Sequence, residues 1–253
     1  MNIKDTLKWA YDELSPYSGR KKWEFYNNYR SLKFFVKRVP KGATILDVGC
    51  GIGVFALSLK KLGYNVVGLD KYIFQDDNYL SEKDNMNNIQ KIWEKNEIKI
   101  VNEDIFNFSN ENKFDCVINI AVIEHQKDPK RFIESCLKHL KIGGYFFCVS
   151  PNMVDFLNRC RVMCGRSAFR DLKPFFDTGE NFVGHWREYT LREMVQMAEW
   201  SGMEIIKAKN YRTSALFNGK DKFPRNIMLA LFRLLSDMIP GARETNTVLA
   251  RYK

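Results

Sequence analysis

Three closely spaced glycines and one aspartate are the residues of this 253-residue sequence whose types and spacing most clearly indicate ligand binding. Gly49, Gly51 and Gly53 follow a short apolar run, and Asp70 ends the next apolar run. Glycine accepts a positive φ and lets a ligand approach the backbone without meeting a Cβ. An acid at the tip of the second strand can bind both hydroxyls of a ribose. The spacing therefore predicts a site for a nucleoside-bearing cofactor at the carboxyl end of a parallel strand.

The same glycines exclude two other nucleotide-binding loops. A dinucleotide fingerprint, G-x-G-x-x-G, requires a third glycine where this sequence has Val54. The sequence contains no G-x-x-x-x-G-K-[ST] run, so a P-loop is excluded. A tight strand–helix turn without a ligand is the alternative interpretation, and the downstream acid favours the ligand site.

Proton transfer has few candidates, because the sequence contains three histidines. His125 follows an apolar run, at the sheet edge where ligands bind in α/β folds, and Glu124 precedes it. Histidine suits proton abstraction near neutral pH. The alternative is that this pair only organises the turn before the next helix. His139 lies near a helix end, which indicates a surface or dipole-facing residue.

Several runs resemble motifs of the class I S-adenosylmethionine-dependent methyltransferases. They are, in chain order, DVGCGIGVF from Asp47, GLD ending at Asp70, NEDI from Asn102, FDCVIN from Phe114, and the series EH, DP and LKIGG between Glu124 and Gly144. The last series resembles the stretch EH…DP…LKPGG of the small-molecule, ubiquinone-biosynthesis-like branch (types 11 and 12). The resemblance covers residues 40–152 well and 185–206 weakly, and Ile142 replaces a usual proline in a turn.

This resemblance implies a Rossmann-like, doubly wound α/β fold. Its seven-stranded sheet is expected to be mostly parallel with an antiparallel last strand. We expect a single methyltransferase domain over residues 1–253 with four parts. They are an N-terminal helical cap (1–40), a cofactor-binding core (41–152), a substrate lid (153–189), and the C-terminal part of the sheet with an inserted helix (190–253).

The resemblance also implies the cofactor, S-adenosyl-L-methionine. Asp47 would orient its ammonium, directly or through water, Asp70 would bind both ribose hydroxyls, and Asp104 would accept from the adenine amino group. The alternatives are that Asp70 only ends a strand and that Asp104 only caps a helix. The complete predicted set is Asp47, Gly49, Cys50, Gly51, Gly53, Asp70, Lys71, Asp104, Ile105, Asn119 and Ala121.

The predicted reaction is O-methylation by in-line transfer. In the resembling enzymes a stretch similar to residues 184–189 borders the acceptor pocket, and packing is the alternative role for His185. The predicted catalytic residues are His125, His185 and Glu124. The predicted substrate-binding residues are Arg166, Arg170, Arg187 and Tyr189. Guanidinium groups suit phosphate or carboxylate, so we expect a small anionic acceptor: phosphorylated, nucleotide-linked or from surface polysaccharide biosynthesis. A solvated basic face is the alternative.

The elements that must position these residues alternate between strand and helix patterns. Strands are predicted at 44–48, 65–69, 98–101, 114–119, 144–149, 203–210 and 245–252. Helices are predicted at 3–14, 20–38, 53–62, the end of 75–96, 129–140, 153–163, 190–200 and 224–239. This alternation predicts a parallel sheet with helices on both faces. Asp128, followed by Pro129, is predicted to cap the helix at 129–140, and Thr190 with Glu193 to form a capping box at the start of the helix at 190–200. Gly143 and Gly144 are predicted to end the helix at 129–140, and residues 164–188 to form an irregular, aromatic-rich lid.

The amino-acid composition limits the classes of partner, the metal content and the cellular location that we expect for this protein. The net charge of +10 favours acidic partners. The six cysteines match neither a secreted disulfide pattern nor a zinc site, so we predict reduced thiols, no metal and a cytoplasmic location. The first residues lack a signal peptide's apolar region, and no apolar run reaches the length of a membrane span. Residues 224–239 could lie on a membrane surface, but packing over the sheet edge or in a homodimer is preferred.

Two competing functions are open at this point. An RNA methyltransferase fits the basic charge, but the sequence has no appended nucleic-acid module. It also has Asn119-Ile120-Ala121-Val122 where a base-flipping enzyme would have N-P-P-[YF], so RNA is a disfavoured partner and DNA is not expected. A non-catalytic relative that only binds the cofactor is the other possibility, since fold alone does not fix function.

Overall fold

The computed structural model describes residues 2–17, 25–71, 83–169, 172–212, 231 and 234–253. Within them the helices are α1 (Ile3–Leu14), α2 (Phe25–Phe35), α3 (Val54–Lys61), α4 (Lys83–Lys95), α5 (Pro129–Lys138), α6 (Phe156–Met163), α7 (Leu172–Thr178) and α8 (Leu191–Trp200). The strands are β1 (Thr44–Val48), β2 (Asn65–Leu69), β3 (Lys99–Val101), β4 (Phe114–Ile120), β5 (Leu140–Pro151), β6 (Met203–Tyr211) and β7 (Thr245–Tyr252). Short 3₁₀ turns cover Ile123–His125 and Gly179–Asn181.

The strands form one seven-stranded sheet in the order β3-β2-β1-β4-β5-β7-β6. Strands β1 to β5 pair in parallel. Strand β7 is antiparallel to both of its neighbours, so it alone runs opposite to the rest of the sheet. The predicted doubly wound, mostly parallel sheet with an antiparallel last strand is confirmed. The strand order reverses between β1 and β4, and ligands bind in the crevice outside such a reversal.

Helices cover both faces of the sheet because the central strands are apolar on both sides. In β1 every residue after the first is buried, as expected for parallel strands covered on both faces. On one face, Leu7 and Phe35 of the N-terminal helices pack with α3 and α4. On the other face, Phe132 of α5 packs with Met194 of α8.

Two helix starts agree with their predicted caps. The side chain of Asp128 accepts a hydrogen bond from the backbone N–H of Arg131 (3.0 Å), and Pro129 is the first residue of α5. At α8, Thr190 and Glu193 form the predicted capping box, in which each side chain accepts from the backbone N–H of the other.

One predicted helix end is wrong. Gly143 and Gly144 do not end α5, because this helix stops at Lys138 and the chain enters β5 at Leu140. Leu140 pairs with Phe114 of β4, and a register shift follows before the regular pairing resumes. The pairing with β4 thus extends the strand across the two glycines, which sequence periodicity alone reads as a turn.

The predicted lid contains more helix than the sequence suggests. Residues 164–188 were expected to be irregular, yet α7 and the 3₁₀ turn at Gly179–Asn181 lie within them. Helix α7 buries none of its residues, so it lies on the surface. The ring of Phe175 contacts Phe182 and Trp186 edge-on, at 5.4 and 5.7 Å between centroids. These contacts join α7 to the loop before α8.

Asp115 ties three central strands together near their amino ends. Its carboxylate accepts hydrogen bonds from the backbone N–H and the hydroxyl of Thr44 in β1, both at 2.8 Å. It also accepts from the ammonium of Lys141 in β5 at 2.7 Å. The hydrogen bond from Lys141 is the largest cause that lowers the pKa of Asp115, to about 2.

We predict that Asp115→Asn lowers the free energy of unfolding by about 1 kcal/mol at pH 7, a value reduced because the side chain is 40% exposed. The folded-state pKa lies below the usual value of 3.8. The stabilisation is therefore complete above about pH 4 and is lost as the pH falls toward about 2. Urea unfolding at pH 7 and pH 2.5 should show a large and a small difference, respectively. Glu111→Gln, an exposed carboxylate, is the control, and a pH-independent difference would contradict the prediction.

Candidate active site

The glycine turn after β1 approaches its surroundings too closely for any side chain. Gly49, Gly51 and Gly53 have φ angles of 72, 54 and 85°. A Cβ placed on Gly49 would lie 2.3 Å from a methyl of Val122. Both the positive φ and the missing space therefore require glycine here, and a ligand in front of the turn meets bare backbone.

A cavity of about 800 Å³ opens at the carboxyl ends of β1, β2 and β4. Nine predicted cofactor residues line it: Asp47, Gly49, Cys50, Gly51, Asp70, Lys71, Asp104, Ile105 and Ala121. Gly53 and Asn119 do not line it. Gly53 is the N-cap of α3, and Asn119 is buried in β4, where its amide donates to the carbonyl of Phe147 at 3.4 Å.

Asp47 is a buried acid without a visible protein counterpart. Its side chain belongs to the cavity wall, the residue is 2% exposed, and its Oδ2 has no hydrogen-bond partner among the described residues. Burial, followed by the nearby charge of Asp70, raises the pKa of Asp47 to about 8. The carboxyl group is thus mostly neutral at pH 7, and a cation placed beside it would favour its ionised form.

Asp70 is oriented by the glycine turn itself. Its Oδ2 accepts a hydrogen bond from the backbone N–H of Gly51 at 2.8 Å. The backbone N–H of Asp70 donates to Val101 of the neighbouring strand. The carboxylate at the tip of β2 is therefore fixed toward the turn after β1, in the position predicted for a ribose-binding acid.

Asp104 makes contacts that the sequence does not predict. Its Oδ2 lies 2.8 Å from the ammonium of Lys71, and its Oδ1 accepts from the backbone N–H of Phe106 at 3.2 Å. No helix begins at Asp104 in the structure, so the helix-cap alternative is wrong. The residue lines the cavity, and its binding role stays a prediction. The guanidinium of Arg131 lies over the Phe106 ring at 4.5 Å and closes this end of the cavity.

Ala121 stores backbone strain at the end of β4. It is a non-glycine residue with a φ of 57°, and its N–H donates to Val149 at 2.8 Å. Such conformations cost free energy and concentrate at functional sites. The residue lines the cavity, as predicted.

The three predicted catalytic residues come together. Single side-chain nitrogen or oxygen atoms of Glu124, His125 and His185 lie within 4.8 Å of one another. The two imidazole rings meet edge-on, with centroids 4.8 Å apart and an interplanar angle of 83°. His125 lines the cavity, and the other two residues lie behind it.

Backbone hydrogen bonds join this cluster to the loop before α8. Nδ1 of His125 lies 2.9 Å from the carbonyl of Val183 and 3.1 Å from that of Gly184. The backbone N–H of Arg187 donates to the carbonyl of Glu124 at 3.2 Å. Carbonyls only accept, so Nδ1 of His125 carries the proton and, in the neutral ring, Nε2 carries the lone pair.

Glu124 is buried completely, and neither carboxylate oxygen has a hydrogen-bond partner among the described residues. Burial raises its pKa to about 7, although its own backbone and the nearby His185 act in the opposite direction. A buried carboxyl of this kind changes protonation near neutral pH, which is typical of functional sites.

The predicted substrate-binding residues do not line the cavity. The guanidinium of Arg187 pairs with Glu193 at 2.7 Å, and Tyr189 is buried in the core at 3% exposure. Arg166 is exposed away from the cavity wall, and Arg170 lies outside the described residues. Their role stays a prediction.

Other residues line the same cavity and were not predicted from the sequence. They are Asn27, Asn28, Lys127, Arg131, Phe182, Val183 and Trp186. The ammonium of Lys127 lies over the Trp186 ring at 4.7 Å and donates to the carbonyl of Glu180 at 2.6 Å. The only available signal was the aromatic composition of the lid, because no motif marks these positions.

The remaining predictions concern surfaces and cysteines. The predicted segment 224–239 lies mostly outside the described residues. Among the residues that the structure describes, no helix combines the length and hydropathy of a membrane span. All six cysteines are free thiols.

Comparisons with known proteins agree with this geometry. A family model described as a methyltransferase domain matches residues 20–208. A mitochondrial ubiquinone biosynthesis O-methyltransferase from Dictyostelium discoideum is 35% identical over 136 residues, which are 48% of this chain and 41% of that protein. A ubiquinone biosynthesis O-methyltransferase from Coxiella burnetii is 29% identical over 147 residues, 56% of this chain and 58% of that protein. The chain thus spans about half the length of these curated relatives.

A solved structure shares the fold along nearly the whole chain. It is the 1,6-didemethyltoxoflavin-N1-methyltransferase of Burkholderia thailandensis, with bound 1,6-didemethyltoxoflavin and S-adenosylhomocysteine. The TM-score is 0.58 at 13% identity, over 99% of this chain and 87% of the other. At this identity the likeness shows the fold alone.

We predict that Glu124→Gln stabilises the protein at high pH. The folded-state pKa of Glu124, about 7, lies above the usual 4.5. The folded state therefore retains the proton longer, and the cost of the buried carboxylate grows as the pH rises from about 4.5 to 7 and then stays constant. The free energy of unfolding should increase by roughly 2 kcal/mol at pH 8.5 and change little at pH 4.5.

Denaturant unfolding of both proteins at these two pH values is the measurement. Glu199→Gln, an exposed glutamate on α8, is the control. A variant that is less stable than the parent at pH 8.5 would show that the carboxylate has a stabilising partner.

Proposed function

The chain belongs to the methyltransferase family, and on this premise we propose that it transfers a methyl group from S-adenosylmethionine to a hydroxyl of a small anionic acceptor. The observation that carries the proposal is the buried carboxyl of Asp47, whose Oδ2 has no hydrogen-bond partner among the described residues, in the cavity wall beside the glycine turn. A family match over residues 20–208 supports the reaction class. The names of the curated relatives support oxygen as the atom that receives the methyl group.

The residues around the cavity fit this cofactor. Asp47 offers a carboxyl group to the ammonium of its amino-acid part, and the turn from Gly49 to Gly51 lines the cavity beside it. Asp70, oriented by the N–H of Gly51, offers its carboxylate to the ribose hydroxyls. Ile105, with Asp104 beside it, borders the cavity where the adenine would lie.

When bound, S-adenosylmethionine supplies an electrophilic methyl group on a sulfonium centre. The chain's own contribution is to hold the acceptor oxygen in line with this group, and positioning alone can supply roughly 7–11 kcal/mol. Transfer to a hydroxyl would require its proton to leave the acceptor oxygen. Nε2 of His125 takes this proton, because its Nδ1 already donates to the backbone carbonyls of the lid.

The acceptor half of the cavity suits a negatively charged molecule. Lys127 and Arg131 line it, and the aromatic rings of Phe182 and Trp186, which meet at an interplanar angle of 73°, add apolar surface. Phosphorylated, nucleotide-linked and polysaccharide-pathway intermediates share the required charge. Asn27 of the N-terminal cap (1–40) and Phe182 of the lid (153–189) both line the cavity.

The cofactor proposal predicts that binding of S-adenosylhomocysteine releases a proton. Its ammonium should convert the neutral carboxyl of Asp47 into a carboxylate, and with a pKa of about 8 this releases close to one proton at pH 7. Affinity should fall about tenfold per unit as the pH drops from 7 to 6. Calorimetry in two buffers of different ionisation enthalpy measures the released proton.

Asp47→Asn should weaken binding at pH 8 at least tenfold and remove the proton release, whereas Asp12→Asn, an exposed acid on α1, should change neither. Unchanged affinity in Asp47→Asn would contradict the proposed cofactor site.

The proposed anionic acceptor predicts that substitutions of two basic side chains change KM for the acceptor to different extents. We expect Lys127→Met to raise KM for anionic acceptors about tenfold, because one cation that lines the cavity is lost. We expect Arg192→Met, at an exposed position of α8 that does not line the cavity, to have no such effect. A panel of hydroxylated phosphates and carboxylates, assayed by transfer of labelled methyl groups, measures both. Equal KM values for charged and neutral acceptors would reject the anionic class.

A further inference from the structure

Glu188 lies behind the predicted catalytic cluster and has no role in the reaction described so far. Its Oε1 lies 2.8 Å from Nδ1 of His185. The two side chains are 19% and 31% exposed, so water reaches this ion pair only in part. A carboxylate opposite Nδ1 fixes the ring orientation and places the proton on that nitrogen.

His185 in turn contacts the residue that lines the cavity. Its ring meets the ring of His125 edge-on at 4.8 Å. His125 is held from the other side by the carbonyls of Val183 and Gly184. A line of contacts therefore runs from Glu188 through His185 to His125 and ends at the acceptor side of the cavity.

We infer that Glu188 is a positioning residue, which acts through His185 to keep His125 oriented and neutral as the proton acceptor. This inference rests on the proposed methyl transfer for its catalytic meaning. Glu188 favours the charged form of His185, and a positive ring beside His125 disfavours a second positive charge there. His125 thus stays available to take the hydroxyl proton near neutral pH.

Other charged groups face the same cluster. They are Glu124 from the turn after β4, Arg187 and Tyr189 from the loop before α8, and Glu193 from α8. Arg187 is compensated by Glu193 at 2.7 Å. Glu124 is present in the parent and in every variant considered below, but the charges of His185 and Glu188 both act on its pKa, so each comparison is repeated with Glu124→Gln in both proteins.

Titration of the three histidines by NMR tests the inference without any acceptor. In Glu188→Gln, the titration midpoint of His185 should fall by roughly one pH unit, because its anionic partner is lost. The midpoint of His125 should rise by up to about half a unit, because its neighbour is then neutral. His139, packed against Phe108 elsewhere in the molecule, is the internal reference and should not move.

Two further variants sharpen the result. Asp177→Asn also neutralises one lid carboxylate, which pairs with Lys173 instead of a histidine, and should move no midpoint. His185→Gln removes the ring and should raise the midpoint of His125 in the same direction as Glu188→Gln. Opposite shifts of the two histidines in Glu188→Gln support the inference. An unmoved His125 in both Glu188→Gln and His185→Gln overturns it, as does an equal shift in Asp177→Asn.

Kinetics provide the second readout once an acceptor is known. In Glu188→Gln, the acidic limb of the plot of kcat/KM against pH should move to higher pH by the same amount as the titration midpoint of His125. The affinity for S-adenosylhomocysteine should stay unchanged. If kcat falls but the acidic limb of this pH profile stays in place, Glu188 has a structural role and does not act on the protonation of His125. Absence of methyl transfer in the parent protein would reject the proposed function, and the NMR result would still decide whether the three residues are coupled.

Discussion

Desolvation of two carboxyl groups is the physical constraint on which the site depends. Asp47 and Glu124 lie at the ends of adjacent central strands, where apolar packing on both faces of the sheet excludes water. Neither acid finds a full set of protein partners among the described residues. The fold therefore holds both groups in a state that favours protons at neutral pH, and a ligand that brings positive charge relieves the cost.

The two ends of the sheet differ in how fully their acidic side chains are hydrogen-bonded, because the features that favour ligand binding in the cavity lower the folding stability. At the amino ends of the strands, the carboxylate of Asp115 accepts hydrogen bonds from a backbone N–H, a hydroxyl and an ammonium group. At the carboxyl ends the acids are left without such partners, and Ala121 adds a strained backbone. Binding sites commonly retain unsatisfied groups and strain at the expense of folding free energy.

Local sequence signals predicted the cofactor half of the fold well. The turn at Gly49 and the acid at Asp70 are each determined by a few neighbouring residues, so their spacing carried enough information. The caps at Asp128 and Thr190 were predicted for the same reason. The length of β5 was not predicted correctly, because it depends on pairing with β4 and is not determined by residues 140–144 themselves. Lys127 and Trp186 reach the cavity only through tertiary contacts between the turn after β4 and the lid, and the raised pKa of Asp47 depends on burial that no motif encodes.

The hydrogen bonds between the lid loop and the turn after β4 have a further consequence. The imidazole of His125 is oriented by carbonyls at positions 183 and 184, and the loop is fastened in return by the carbonyl of Glu124. If His125 is the proton acceptor, as proposed, a displaced loop would remove its alignment even with the methyl donor bound. Methyl transfer would then depend on the loop lying against the turn after β4, and the same arrangement would shield an electrophilic methyl group from water.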